Sequence, residues 1–136
     1  MGFLIDTCIW IDVERGVVSP SDVAVFTGNE PVYISPVTIV ELTFGAEMAK
    51  DEGIRQKRLT ALSRLRKKPA CIIDESTGEI FGRLTATIHR SGKPYRYRIQ
   101  DLWLASQAIQ NNYKLLTGNI KDFLDIPGLD LVAFSR

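Results

Sequence analysis

The chain has 136 residues, of which 45% are hydrophobic and 24% charged, and its formal net charge is +1. This size and composition are typical of one globular domain and exclude a chain that is mostly disordered. No apolar run approaches the ~18–20 residues that cross a bilayer, and no signal peptide precedes the first apolar segment. Cys8 and Cys71 both lie in apolar stretches, which argues against a disulfide framework, so we expect a cytoplasmic protein.

Short apolar segments alternate with longer segments of helical periodicity, and this pattern predicts a mostly parallel sheet flanked by helices. A first buried strand is predicted at residues 3–5. Further strands are predicted at residues 32–34, 71–73, 114–116 and, at the edge of the sheet, 131–133. The expected fold class is therefore α/β, with four to five strands in a single domain that covers residues 1–136.

The segments between these strands carry helix signals. Ser35 followed by Pro36 is a typical helix start, because a hydroxyl cap precedes a proline at a position that needs no amide donor. This helix should run to about Lys50. Other helices are predicted from Thr7; around Leu59, Leu62 and Leu65; around Thr77, Ile80, Leu84 and Ile88, ending near Ser91 and Gly92; and from Asp101 to Asn111.

Basic residues are concentrated in two segments, although the totals of 17 basic and 16 acidic residues nearly cancel. The segment 50–68 has eight basic and two acidic residues, and the segment 83–98 has five basic residues, His89 and no acid. Such segments can bind the phosphates of a nucleic acid, because clustered cations displace counterions from a polyanion. They can equally be solvated faces of two helices, and charge alone does not decide between these interpretations.

Acidic and amide side chains stand at the ends of several predicted elements. Asp6 follows the first strand, Glu41 lies in an apolar turn of the next helix, and Asp101 opens a helix that is apolar nearly all round. Asn119 and Asp122 follow the strand at 114–116. Each has a purely structural alternative as a helix cap or first-turn acid; Glu41, for example, could close a capping box with Thr38.

The common placement of these residues favours a functional interpretation. In an open parallel sheet the carboxyl ends of the strands share one edge, and ligands bind in the crevice there. Carboxylates that meet in this crevice repel one another and require a cation. Because the ligands are hard oxygens without a His or Cys pair, we expect Mg²⁺ or Mn²⁺ rather than zinc.

The same residues resemble the PIN-domain nucleases, and in particular the VapC-type toxins of bacterial type II toxin–antitoxin pairs. Four pieces carry the resemblance, in order and at fitting spacing. They are Leu4-Ile5-Asp6-Thr7; Thr38-Ile39-Val40-Glu41-Leu42 with Gly45-Ala46-Glu47; Asp101 with Leu104-Ala105; and Leu116-Thr117-Gly118-Asn119 with Lys121-Asp122-Phe123. Each piece is a weak motif alone, but together they span essentially the whole chain.

The resemblance implies a PIN-like three-layer α/β/α fold and a Mg²⁺- or Mn²⁺-dependent endoribonuclease. It also implies that the substrate is RNA, with tRNA or rRNA as the expected target. A VapB-type antitoxin is the implied inhibitor, and a homodimer is the implied assembly. Asp6, Glu41 and Asp101 become the metal ligands, and Asn119 or Asp122 completes the site. Thr7 and Thr117 match the hydroxyls that the family places beside its first and fourth acids, and both are expected to contact the substrate. Two residues depart from the common pattern. Cys8 stands where the family commonly has Asn or another small polar residue, and Asn119 stands where some members have a fourth Asp.

A metal-activated water would hydrolyse the phosphodiester and leave a 5′-phosphate. RNA would approach along the basic segments, where Tyr95 and Tyr97 alternate with Arg96 and Arg98 and could stack bases and bind phosphates. Two other kinds of phosphate chemistry do not fit the residues. A dehalogenase-like phosphatase needs a second acid where Cys8 stands. A receiver domain needs an acidic pair at the first strand, and none is evident there. The alternative of a different class is a non-catalytic scaffold or nucleic-acid-binding domain whose acids are caps.

Overall fold

The apolar segments form a central sheet of four parallel strands within residues 1–135, which the computed structural model describes. The strands are β1 (Phe3–Ile5), β2 (Val32–Tyr33), β3 (Lys114–Thr117) and β4 (Leu131–Ala133). They lie in the order β2-β1-β3-β4, and Leu4 of β1 is in register with Tyr33 and Leu115. The predicted α/β fold with a parallel sheet is confirmed. Arg136, the last residue of the predicted domain, lies outside the described residues.

Six α-helices cover the two faces of this sheet within the described part of the chain. They are α1 (Thr7–Glu14), α2 (Pro20–Thr27), α3 (Pro36–Glu47), α4 (Glu52–Leu65), α5 (Glu75–Arg90) and α6 (Ile99–Asn111). Short 3-10 turns at Arg96–Arg98 and Ile120–Asp122 precede α6 and follow β3. None of these helices has the combination of length and apolar character that a membrane span requires.

Alternation along the strands builds one core on each face of the sheet, as the period of two dictates. On one face Leu4 and Leu115 pack with residues of α5 and α6, among them Leu84, Ile88, Leu102 and Ala105. On the other face Phe3, Ile5 and Leu116 pack with Ile9 of α1 and Val23 of α2. The result is the three-layer α/β/α arrangement that the sequence resemblance implies.

Three details of the sequence prediction were wrong. Residues 71–73 form no strand, because only Ala70 makes an isolated bridge, to Ile34, and Ile72 is 73% exposed. Helix α2 was not predicted, although Ser19 and Asp22 form a capping box at its start. Helix α6 begins at Ile99, so that Asp101 is its third residue and not its first.

The strand order places the functional edge of the sheet. From β1 the chain crosses to β2 on one side and later to β3 on the other, so the connections diverge at the carboxyl end of β1. Such a divergence opens a crevice beyond the strand ends. Asp6 follows β1 directly, and Gly118 and Asn119 follow β3 directly. The fold therefore brings these two segments to the same crevice.

Candidate active site

Asp6 is a buried carboxylate at the end of β1, with only 7% of its surface exposed. It occupies the N-cap position of α1, but within residues 1–135 its side chain accepts no capping hydrogen bond. Oδ2 instead accepts hydrogen bonds from the Thr117 hydroxyl at 2.8 Å and from Cys8 Sγ at 3.4 Å. The helix-cap explanation of Asp6 therefore accounts for its position but not for its contacts.

Thr117 joins the ends of β1 and β3. Its hydroxyl donates to Asp6 and accepts the backbone N–H of Asn119 at 2.9 Å. The Asn119 backbone is thereby tied to the first acid through one side chain. Because Thr117 is fully buried, the structure places its hydroxyl beneath the carboxylate, and the substrate-binding role given to it on sequence stays a prediction.

Cys8 is the chemically unusual neighbour of Asp6. Burial raises the pKa of its thiol to about 12, and the negative charge of Asp6 contributes further to this rise. The sulfur therefore keeps its proton and donates to the carboxylate. Cys8 departs from the sequence pattern that the chain resembles, and its contact with Asp6 could not be predicted from the sequence.

Glu41 projects from α3 one and a half turns after the helix start. Ser35 is the N-cap, with Oγ accepting the Val37 N–H at 3.0 Å, so Thr38 and Glu41 lie inside the helix and form no capping box. Burial raises the pKa of Glu41, the Thr7 hydroxyl lowers it by hydrogen bonding, and the charge of Asp6 raises it again. The pKa of Glu41 thus depends on Asp6 and Thr7, the two residues that follow β1.

Buried hydroxyl and amide groups hold α3 against its neighbours. The Thr7 and Thr38 hydroxyls share a hydrogen bond of 2.9 Å between α1 and α3. Ser35 Oγ donates to Oε1 of Gln107 on α6 at 2.5 Å, and Gln107 Nε2 donates to the Cys71 carbonyl at 3.0 Å. These contacts fix the helix that carries Glu41 relative to the helix that carries Asp101. Thr7 is itself buried, and its predicted contact with substrate stays a prediction.

Asp101 is the residue on which the acids converge electrostatically. Its pKa is raised to about 6, chiefly by burial. The negative charges of Asp6, Asp122 and Glu41 raise it further, in that order, and the positive charge of Arg98 opposes them. Four acids from four separate elements therefore act on one another at the edge of the sheet.

Oxygen donors of this kind fit a hard divalent ion. Within residues 1–135, no three Asp, Glu, His or Cys side chains are grouped closely enough to hold an ion by themselves. Mg²⁺ usually keeps several waters and takes only one or two carboxylates directly. The arrangement fits an ion bound directly by one or two of these acids and through water by the rest, because their mutual repulsion favours a cation.

Asp122 and Asn119 both lie near the site but in different ways. Asp122 is exposed, and together with Asp101 it lines a cavity of about 490 Å³. Its charge contributes to the raised pKa of Asp101. Asn119 is also exposed and is connected to Asp6 through Thr117. Both candidates for the fourth position are thus connected to the crevice. The charge of Asp122 acts on Asp101, and the backbone of Asn119 is linked to Asp6 through Thr117.

Arg98 has protein partners instead of the solvent access that an RNA contact requires. Its side chain is only 12% exposed and forms two hydrogen bonds with Asp125, Nη1 to Oδ2 at 2.9 Å and Nη2 to Oδ1 at 2.7 Å. Nη2 also donates to the Asp122 carbonyl at 2.9 Å. The RNA-binding role predicted for Arg98 stays a prediction, and the structure shows that its donors are engaged by Asp125 and by the Asp122 backbone. The sequence pattern did not predict Asp125 as a partner.

The remaining residues of the basic segment separate into two groups. Tyr95 packs against the core and contacts the His89 ring edge-on, at 5.8 Å between ring centroids. Arg96 and Tyr97 are exposed, and 79% of the Tyr97 surface is accessible. Tyr97 also lines the cavity beside Asp101. Of the four alternating residues, Arg96 and Tyr97 are thus accessible to a large ligand.

Residues 3–129 match the family model described as the PIN domain. Ribonuclease VapC of Rickettsia bellii is 30% identical over 98% of this chain and 96% of the relative. Ribonuclease VapC1 of Rickettsia felis is 33% identical over 99% of this chain and 98% of the relative. The similarity therefore extends over the whole length of these relatives and includes every segment of the site.

Solved structures share the fold. VapBC2 from Rickettsia felis, bound to a DNA fragment from its promoter, has a TM-score of 0.83 at 24% identity and covers 99% of this chain and 100% of that chain. VapBC-1 from nontypeable Haemophilus influenzae also has a TM-score of 0.83 at 24% identity and covers both chains completely, at 100% each. The three-layer arrangement and the order of the elements are thus those of known proteins.

Proposed function

The chain belongs to the PIN-domain family, and from this premise we propose that it is a Mg²⁺- or Mn²⁺-dependent endoribonuclease, the toxin of a VapBC-type pair. The observation that carries the proposal is the placement of Asp6, Glu41, Asp101 and Asp122 at one edge of the sheet in a chain that matches the PIN domain over residues 3–129, and the pKa of Asp101, raised to about 6 by burial and then by the charges of the other three acids, agrees with it. A fold that keeps four acids in mutual repulsion loses stability by doing so, and a bound cation offsets that loss.

The proposed mechanism assigns a task to each acid. Asp6 and Asp101 would hold the ion, and Glu41 would orient the attacking water or bind the ion through water. Asp122 would complete the set, because it is an exposed acid whose charge raises the pKa of Asp101, whereas Asn119 supplies a neutral amide. When bound, the ion lowers the pKa of a water and neutralises charge on the phosphate oxygens. Hydrolysis by this route leaves a 5′-phosphate and a 3′-hydroxyl.

RNA is the proposed substrate, and tRNA or rRNA the proposed target, so that cleavage inhibits translation in the cytoplasm. The names of the ribonuclease relatives support the substrate class. Tyr97 and its neighbour Arg96 are the proposed contacts, because both are exposed and Tyr97 lines the same cavity as Asp101. A base can stack on the accessible tyrosine while the guanidinium binds a phosphate.

A VapB-type antitoxin is the proposed inhibitor. Structural relatives described as VapBC complexes support this partner. A groove of about 810 Å³ runs between α1, α2 and α4, with Trp10, Val23 and Leu62 in its wall. Lys57, Arg64 and Lys68 of the basic segment lie along it, and Glu41 lies at it too. A partner segment with apolar and acidic residues would fit this groove and reach Glu41, which would account for inhibition.

The proposal includes a homodimer. Val40, Phe44 and Met48 are spaced four residues apart at α3 and are 60%, 65% and 64% exposed. Residues at this spacing share one helix face. A continuous apolar stripe of this kind is typical of a protein contact surface, and a second copy of the chain covers it in the proposed dimer.

Expression in a bacterial host without a related antitoxin tests the proposal. We expect the wild-type chain to arrest growth and to shorten a defined tRNA or rRNA. The Asp101→Asn variant should leave growth and RNA intact, because it removes one metal-binding charge. Growth arrest that persists in this variant, at equal protein level, would contradict the catalytic role of the acids.

A further inference from the structure

Arg98 connects the two chain segments that carry the last two acids of the site. It ends the 3-10 turn before α6 and precedes Asp101 by three residues. Asp125 lies in the loop after the second 3-10 turn and follows Asp122 by three residues. The Arg98–Asp125 contact therefore bridges the start of α6 and the end of the Asp122 turn, which are otherwise joined through β3.

The contact has the geometry of a strong ion pair. Two guanidinium nitrogens face two carboxylate oxygens at 2.9 and 2.7 Å, and Nη2 also reaches the Asp122 carbonyl at 2.9 Å. The side chains are 12% and 22% exposed, so solvent screens the pair less than a surface pair. Lys93 contacts the same carboxylate at 3.4 Å, but it is 55% exposed and makes one contact only.

Repulsion between the acids gives this contact a task. Asp101 and Asp122 line the same cavity, and their like charges repel each other there. Without a restraint, this repulsion favours movement of the exposed Asp122 turn away from α6. Arg98 opposes that movement in two ways, since it supplies a compensating positive charge and holds the backbone of Asp122 itself.

We propose that Arg98 is a positioning residue, which together with Asp125 holds the Asp122 turn at the distance from Asp101 that a shared divalent ion requires. This inference rests on the proposed metal-dependent function. A lysine cannot replace Arg98, because the planar guanidinium makes three hydrogen bonds in a fixed fork, whereas an ammonium group is a single point charge. Substitution of a residue that orients the ligands of a metal typically lowers the metal affinity about 10–100-fold.

Mn²⁺ affinity measured by calorimetry on the full chain tests the inference, with RNA cleavage kinetics as a second readout. Arg98→Lys and Asp125→Asn should each weaken Mn²⁺ binding by about tenfold or more. They should lower kcat and leave KM for RNA near the wild-type value. Arg55→Lys is the matched control, since Arg55 also pairs with two acids, Glu47 and Glu52, and it should leave Mn²⁺ affinity unchanged.

Other outcomes separate this inference from the proposed function. Wild-type Mn²⁺ affinity in both Arg98→Lys and Asp125→Asn overturns the positioning role, and so does a raised KM with unchanged kcat, which identifies an RNA contact. If either variant fails to fold, Asp125→Glu, which keeps the negative charge but displaces the carboxylate by one methylene group, must weaken Mn²⁺ binding, and wild-type Mn²⁺ affinity in this variant overturns the inference. A wild-type chain that binds no Mn²⁺, or an Asp101→Asn variant that binds it normally, overturns the proposed function itself.

Discussion

The Thr117 hydroxyl donates a 2.8 Å hydrogen bond to Oδ2 of Asp6, between two residues that are 111 positions apart in the sequence. Both side chains are buried, and the contact joins the carboxyl ends of the two central strands. Its effect is to support a buried negative charge at the point where β1 and β3 diverge.

Replacing Thr117 by Val should therefore weaken both the fold and the site. The variant keeps the side-chain shape but leaves Asp6 without its closest donor, and a lost hydrogen bond to a charged group costs about 1.5–3 kcal/mol. We expect urea denaturation at neutral pH to show a loss of this size, together with weaker Mn²⁺ binding. Thr117→Ser, which keeps the hydroxyl, is the control. A Val variant as stable as the wild type would show that the bond contributes nothing.

Asp101→Asn should stabilise the protein when no divalent ion is present. The folded-state pKa of Asp101 is raised to about 6, so the ionised side chain is less favourable in the fold than in the unfolded chain. The unfolded chain releases the proton near pH 4, and the wild type consequently loses stability between about pH 4 and 6. In EDTA we expect the variant to gain about 1–2 kcal/mol at pH 7.5, after allowance for solvent screening, and nothing at pH 3.5.

Denaturation of both proteins across this pH range measures the difference. The gain should appear as the pH rises past 4 and become constant above about 6. An Asn variant that is less stable than the wild type at pH 7.5 in EDTA would mean that the Asp101 charge is satisfied within the fold, and the argument for a cation would fail.

Phe44→Asp should convert the proposed dimer into a monomer. Phe44 is the middle residue of the exposed stripe on α3, and a charge there would be buried without a partner in a dimer. The mass of one chain is 15.2 kDa. We expect light scattering after size exclusion to report twice this mass for the wild type and this mass for the variant. Val25→Asp, at an exposed position on α2, should leave the mass unchanged. A monomeric wild type would remove the dimer from the proposal.

Tyr97→Ala and Arg96→Ala should weaken RNA binding without affecting the metal. Both residues are exposed, and loss of base stacking on an aromatic ring costs about 1–3 kcal/mol. Steady-state kinetics should show a raised KM for each variant, at a kcat close to that of the wild type, and Mn²⁺ affinity should not change. This is the opposite of the pattern expected for Arg98. A lowered kcat with unchanged KM would place these residues in the catalytic step.

The sequence predicted those parts of the fold that depend on local patterns. Apolar runs at β1 and β3 and the Ser35-Pro36 start of α3 are local signals, and each was found where predicted. Residues 71–73 carry an equally apolar run, but a strand requires pairing along its whole length, and the pairing here is a single bridge between Ala70 and Ile34, to which Cys71 adds one backbone hydrogen bond. Pairing between distant segments cannot be derived from such a run alone.

The same distinction applies to the site. Asp6, Glu41 and Asp101 were predicted as site residues because their residue types and positions match a known pattern. The ion pair of Arg98 could not be predicted, because its partner, Asp125, lies 27 residues further along the chain. A basic residue beside an acid is equally consistent with an RNA contact and with an internal ion pair, and only the packed structure distinguishes them.

The central claim is that the acids at the end of the sheet cleave RNA through a divalent ion. Its most direct test is the purified chain incubated with a defined tRNA in EDTA, after addition of Mg²⁺ or Mn²⁺, and with Asp6→Asn in parallel. We predict no cleavage in EDTA, restored cleavage with either ion, 5′-phosphate ends on the products, and no cleavage by Asp6→Asn. Cleavage that continues in EDTA with cyclic phosphate products, or an Asp6→Asn variant with full activity, would contradict the claim.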